Sequence, residues 1–252
     1  MKFYKALDSV KLKKYSEVDK NQFALSFYSK SGFKSSELFD KELKKKVSNF
    51  FADEKRSSLF LSKELTGLKG DFLVLRDFNK NKSEYKKYAW MKGLFANLDK
   101  YAVKNAVIYA DTSHLFKDDN FLFDLAKTAE KVSYRYTDTN PNTKKELILK
   151  NVSLAVESAS AAQKRVVELG YNVGSGANTA RNLGDRPANH ATPAYIANAV
   201  KGLAKDIGGF SVEILEEKDM KKLGMGCLLS VSRGSIEPAK LVTMQYKGGK
   251  KG

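Results

Sequence analysis

Few side chains in this sequence could do chemistry by themselves. There are two histidines, His114 and His190, and a single cysteine, Cys227. A nucleophile needs a base within hydrogen-bond reach, and a metal needs three or four converging donors. The two histidines lie too far apart in sequence to argue a pair, and no HExxH, CxxC, GxSxG or P-loop spacing occurs. Cys227 opens the apolar run Cys227–Ser232 and reads as a small buried hydrophobe. His190, between Pro187 and Pro193, reads as ordering its loop by a hydrogen bond rather than ligating a metal. The acidic neighbours Glu216-Glu217 and Asp118-Asp119 diverge on any regular element, so they read as solvated positions. Gly174-Ser175-Gly176 looks like the start of a dinucleotide fingerprint, but no strand precedes it and Thr179 stands where the third glycine belongs. Residue types alone assign no catalytic group.

The elements that would position such groups are clearer. Phe23–Tyr28, Ser57–Ser62, Asp71–Arg76, Ala106–Ala110 and Val152–Val156 are apolar runs of strand length. Between them, Glu37–Phe51, Lys82–Tyr101 and Phe121–Val132 carry apolar residues at helical spacing. Strands alternating with helices predict an α/β layer fold, whose tyrosines and phenylalanines serve as packing rather than base-stacking platforms. Ser158–Leu183 predicts a long helix leading out of this first domain, weakened in its middle by Gly170, Gly174 and Gly176. Thr192-Pro193 is a helix start, with Ile196, Val200, Leu203 and Ile207 along one face and Gly208-Gly209 as the stop. Phe210, Val212 and Ile214 alternate as a strand, Glu216–Leu223 is a short charged helix ended by Gly224, and Leu241–Tyr246 is a further strand. The expected domains are 1–157, a linker helix and loop over 158–190, and an incomplete α/β unit over 191–252.

Composition sets the class. The chain has 252 residues, 42% hydrophobic and 29% charged, enough to build a core and too apolar for a disordered chain. No apolar stretch approaches the ~20 residues of a membrane helix. The charged start, MKFYKALDSVKLKK, lacks an apolar signal core, and one cysteine forms no internal disulfide; both predict a cytoplasmic protein without membrane contact. Net charge is +16; residues 1–150 hold 31 basic and 20 acidic residues, and the remainder 14 and 9. Such an excess attracts phosphate backbones non-specifically, but it is mostly lysine, and arginine is the better bidentate reader of bases.

The stretch Thr179–Gly249 carries a further signal. It contains Ala180-Arg181-Asn182-Leu183, Arg186-Pro187-Ala188-Asn189, Thr192-Pro193, Leu223-Gly224-Met225-Gly226 and Val231-Ser232-Arg233-Gly234-Ser235 with Pro238. These landmarks, in this order, resemble the segment joining the two domains of the leucine (cytosol) aminopeptidase family. The resemblance implies a macro-domain-like N-terminal α/β domain, a linker helix, and the opening βα units of an exopeptidase-like domain. It implies a hydrolase that removes N-terminal residues from peptides in peptide catabolism. Two divalent metal ions, manganese or zinc, would supply the chemistry, and the whole enzyme would be a homohexamer. It also implies that the family's metal ligands lie in two motifs after the strand that precedes Lys247-Gly248-Gly249. Neither motif occurs in residues 1–252. The expectation is therefore no catalytic, metal or cofactor-binding residue in this chain, no metal bound by it, and no activity of the chain alone. Arg181, Arg186 and Asn189 are expected to pin the linker to the second domain, and the face of the helix after Thr192 to stay partly uncovered. The alternative is a basic N-terminal domain that binds nucleic acid non-specifically or serves assembly. No glycine-rich phosphate loop in residues 1–150 supports a nucleotide pocket there.

Overall fold

A computed structural model describes residues 6–19, 22–28, 40–66, 70–77, 83–109, 117–139 and 148–249. The chain divides into two compact units, one built from residues 5–135 and 143–178, the other from residues 1–4, 136–142 and 179–252.

The first unit is a six-stranded sheet with helices on both faces. Its strands are β1 (Ser9–Lys14), β2 (Phe23–Tyr28), β3 (Ser58–Leu61), β4 (Phe72–Arg76), β5 (Asn105–Tyr109) and β6 (Asn151–Val156), in the order β1-β6-β5-β2-β4-β3. All neighbours are parallel except β3, which runs antiparallel to β4 at the edge. The five runs expected from the sequence form strands with ends shifted by a residue or so. β1 went unread because its lysines masked an alternation: Val10 and Leu12 are buried while Lys11 faces solvent.

Period-two alternation splits β2, β4, β5 and β6 between two cores. Leu25, Phe27, Leu73, Leu75, Ala106, Ile108, Val152 and Leu154 face one way, joined by Val10 and Leu12. That face is covered by α3 (Glu84–Lys100), α4 (Asp119–Val132) and α5 (Ala161–Gly184), which supply Met91, Leu94, Leu98, Phe121, Leu125 and Val167. Ala24, Phe72, Val74, Val107, Tyr109 and Ala155 face the other way, against Val47 and Phe51 of α1 (Lys41–Phe51). Helix starts follow the capping chemistry: Asp40 accepts from the Leu43 N–H at 2.7 Å, and Asp118 from the Asn120 N–H at 2.9 Å. α2 (Lys63–Thr66) is a single turn.

The glycines that weakened the expected long helix have a packing reason. A Cβ on Gly170 would lie 2.3 Å from the Phe123 carbonyl oxygen, and one on Gly174 would lie 2.9 Å from both the Lys127 oxygen and the Glu130 Cβ. Bare glycines let α5 cross α4 at close range, and residues four apart share a helix face. The next position on that face, Asn178, donates to the Glu130 carbonyl at 2.8 Å. Tyr171, buried beside them, donates its hydroxyl to the Leu7 carbonyl at 2.7 Å. Burial, with the charges of Glu130 and Asp8 nearby, pushes that hydroxyl up to about 12.

The second unit contains the end of α5, α6 (Pro193–Asp206), β7 (Phe210–Glu216), α7 (Glu217–Lys222), α8 (Gly226–Ser232) and β8 (Lys240–Tyr246). β7 and β8 form an antiparallel pair from Phe210 opposite Tyr246 to Glu216 opposite Lys240. α6 packs on both strands, and α7 on β7 and α8. The apolar run at Cys227–Ser232 is helical, and its location exposes Val231 and Leu228.

Candidate functional site

The part of the second unit that bears the sequence landmarks is built around the end of α5 and the start of α6. α5 runs through Arg181 and Asn182 to Gly184. The chain then turns tightly, with the His190 and Ala191 N–H groups both donating to the Pro187 carbonyl at 2.9 Å. Thr192 caps α6, its hydroxyl accepting from the Tyr195 N–H at 3.2 Å, and Pro193 follows where a missing N–H costs nothing. Behind this turn α6 buries Ala197, Val200 and Leu203. Ile196, expected on the same face, sits at its exposed margin because the buried line starts one residue later.

Arg186 ties this corner together. Its guanidinium pairs with the Asp138 carboxylate, donates to the Asn182 side-chain oxygen at 3.3 Å, and lies over the Tyr195 ring with 5.0 Å to the centroid. Three attachments from residues 138, 182 and 195 fix the turn from the preceding chain, the helix before and the helix after. Arg181 and Asn189, expected to share this task, are exposed.

Farther along, Gly224 adopts φ +68° and ends α7; its N–H donates to the Lys221 carbonyl and the Met225 N–H to the Met220 carbonyl. Glu216 and Lys240 pair across the two strands at 2.6 Å, and Glu217 accepts from the Ala239 N–H at 3.0 Å. These contacts correct the reading of the acidic neighbours as merely solvated: Glu216 and Glu217 hold β8 in place, and Asp118 is a helix cap. Cys227 is corrected likewise. It is exposed on the first turn of α8, because that short helix lies on the surface instead of continuing a core strand. The loop at His190 is ordered by its backbone N–H, while the residue is exposed. His114 lies outside the described residues.

The comparisons with known proteins fit this corner. Residues 178–252 match the catalytic domain of the cytosol aminopeptidase family. A probable cytosol aminopeptidase of Aromatoleum aromaticum is 32% identical over 207 residues, 79% of this chain and 41% of that protein. Another, of Nitrosococcus oceani, is 39% identical over 127 residues, 49% of this chain and 25% of that protein. Among solved structures, a tomato leucine aminopeptidase variant superposes with a TM-score of 0.73 at 17% identity, covering 97% of this chain and 52% of that one. The bottromycin maturation enzyme BotP in complex with Mn gives 0.63 at 18% identity, covering 90% and 45%. These likenesses show a shared mixed α/β fold with a parallel sheet. The chain is therefore similar to the cytosol aminopeptidases, a family of metallo-aminopeptidases, and spans less than half the length of these curated relatives.

The described residues do not fit the paired metals of such an enzyme. Among them no group of three or more His, Cys, Asp or Glu converges as a metal site. No helix of the described residues is long and apolar enough to cross a membrane.

Proposed function

We propose that residues 1–252 are the N-terminal portion of a metal-dependent leucine aminopeptidase, which removes N-terminal residues from peptides in the cytoplasm by two-metal hydrolysis. The observation that carries this reading is the catalytic-domain match over 178–252, continuous with a 207-residue relationship to a curated aminopeptidase. Two metals suit the reaction because one polarises the scissile carbonyl while both acidify a bridging water. Manganese or zinc would be held by residues outside this chain, and the whole enzyme would assemble as a homohexamer.

In this reading residues 1–157 form a macro-domain-like domain, 158–190 the linker and 191–252 the start of the peptidase domain. A parallel sheet with one antiparallel edge strand and helices on both faces supports the first assignment. Packing of residues 161–178 within the first unit argues that the linker's first half is a fixed part of that domain.

Two assays on the purified chain test the reading. With manganese and a leucine anilide, residues 1–252 release no product; metal-dependent release would show that the catalytic set lies inside this chain. The alternative, a basic module for nucleic acid or assembly, draws on the charge of residues 1–150 and on exposed Lys41, Lys45 and Lys46 of α1. DNA titration at two salt concentrations separates it, since phosphate contacts weaken steeply with salt. No binding at low salt removes it.

A further inference from the structure

The most unusual group in the first unit is an acid with no solvent. Glu130, in the last turn of α4, is 0% exposed. Burying a carboxylate is costly unless its oxygens are engaged, and an apolar side chain of similar volume would pack at lower cost. Both oxygens are engaged by the chain's own N-terminal segment. Oε1 accepts from the Ala6 N–H at 2.6 Å and Oε2 from the Leu7 N–H at 2.9 Å. The ladder with β6 starts just after these residues, when the Asp8 N–H reaches the Lys150 carbonyl at 2.8 Å. Ala6 and Leu7 thus enter the protein before any neighbouring strand can take their N–H groups, and a buried backbone donor must find a partner.

The same carboxylate is tied to α5. The Asn178 amide reaches the Glu130 backbone oxygen at 2.8 Å and Oε1 at 3.3 Å. Two helical turns earlier, the Tyr171 hydroxyl donates to the Leu7 carbonyl at 2.7 Å. Leu7 is therefore gripped by its N–H from α4 and by its C=O from α5. Gly170 and Gly174 lie on the same stripe of α5 and allow the approach that brings Asn178 within reach.

We propose that Glu130, Asn178 and Tyr171 form a latch that fastens residues 6–8, so that β1 and α5 open and close as one cooperative unit. Hydrophobic burial of Leu7, Val10 and Leu12 holds β1 against the sheet, but such burial is non-directional and imposes no coupling to a particular helix register. The directional bonds supply it: α5 cannot shift along α4 without pulling the Leu7 carbonyl and the Glu130 carboxylate out of line. Asn178 is also the first residue of the segment matching the family's catalytic domain. Local opening in cooperative blocks of this kind is read directly by amide hydrogen exchange.

The test is hydrogen exchange by mass spectrometry on the 252-residue chain. In Glu130→Gln, one oxygen becomes an NH2 group facing backbone donors. Exchange in peptides covering 6–14 and 161–178 should rise together by about tenfold or more, with 23–28 and 72–76 changing less than about twofold. Asn178→Ala, which leaves the N-terminal contacts themselves intact, should accelerate both peptides as well. Glu130→Met fills the volume without an acceptor and should loosen both regions; protection at the wild-type level in this variant would mean packing alone and overturn the latch. Acceleration of only one of the two peptides in Glu130→Gln or Asn178→Ala also overturns it. If the Glu130 variants do not fold, Tyr171→Phe, which deletes one hydroxyl, still decides: both peptides must accelerate, and an unchanged 6–14 peptide rejects the proposal.

Discussion

The two units of this chain close their sheets in opposite ways. In the first, six strands are covered on both faces, and large side chains such as Phe27, Phe51, Phe121 and Leu125 are sealed at 2% exposure or less. In the second, a two-stranded sheet has α6 packed on it, and Val231, Ile236, Met244 and Tyr246 remain more than half exposed. Both units use the same apolar alternation, so pattern alone does not make a core. A two-stranded pair needs further layers to seal its apolar side chains, whereas three layers do so within one unit. The second unit relies instead on discrete polar ties: Arg186 with Asp138 and Asn182, Glu216 with Lys240, and Glu217 with the Ala239 N–H.

That contrast breaks most visibly under truncation. Phe121→Ala in the first unit should cost about 3–5 kcal/mol, because it empties a site sealed by Trp90 and the sheet. Val231→Ala, at 88% exposure in the second, should stay within about 0.5 kcal/mol. Urea unfolding of both variants measures the pair, and similar losses would erase the distinction.

A middle-sized effect belongs to Tyr171. Tyr171→Phe should cost about 1 kcal/mol, the worth of one intramolecular hydrogen bond. Its hydroxyl ionises near 10 when exposed and about 12 in the folded protein, so the fold favours the protonated form. The stabilisation from that preference is complete below pH 10 and is lost as pH rises toward about 12. Unfolding midpoints followed from pH 9 upward should fall more steeply for the wild-type protein than for Tyr171→Phe; parallel curves would contradict the burial of this group.

Effects of opposite sign are expected at two helix ends built alike. α7 ends with Gly224 at φ +68°, and α3 ends with Ala102 at φ +52°, whose N–H reaches the Asp99 carbonyl while the Val103 N–H reaches Leu98. Both are the same left-handed cap, but alanine carries a Cβ into it. Ala102→Gly should stabilise by about 0.5–1 kcal/mol and Gly224→Ala should destabilise by about 1 kcal/mol. Thermal melts with opposite shifts are the expected outcome.

Much of this was legible in the chain. Alternating apolar runs such as Phe23–Tyr28 and Asp71–Arg76 named strands, and Thr192-Pro193 named the start of α6, because these signals act over a few residues. The family relationship was legible in the landmarks between Ala180 and Pro238. β1 is hidden by its lysines, and Cys227 is misread because an apolar run of six suits a strand or a surface helix equally well.

What the sequence by itself determined is local: period, caps, stops, charge and the family landmarks. Only the tertiary structure decided what Gly170, Gly174, Glu130 and Arg186 are for. Glu130 finds its partners 123 and 124 residues away, and Arg186 meets Asp138 across 48. Contacts at such separation leave no periodic trace in the chain, since the packing of segments far apart in sequence fixes them and no one segment records it alone.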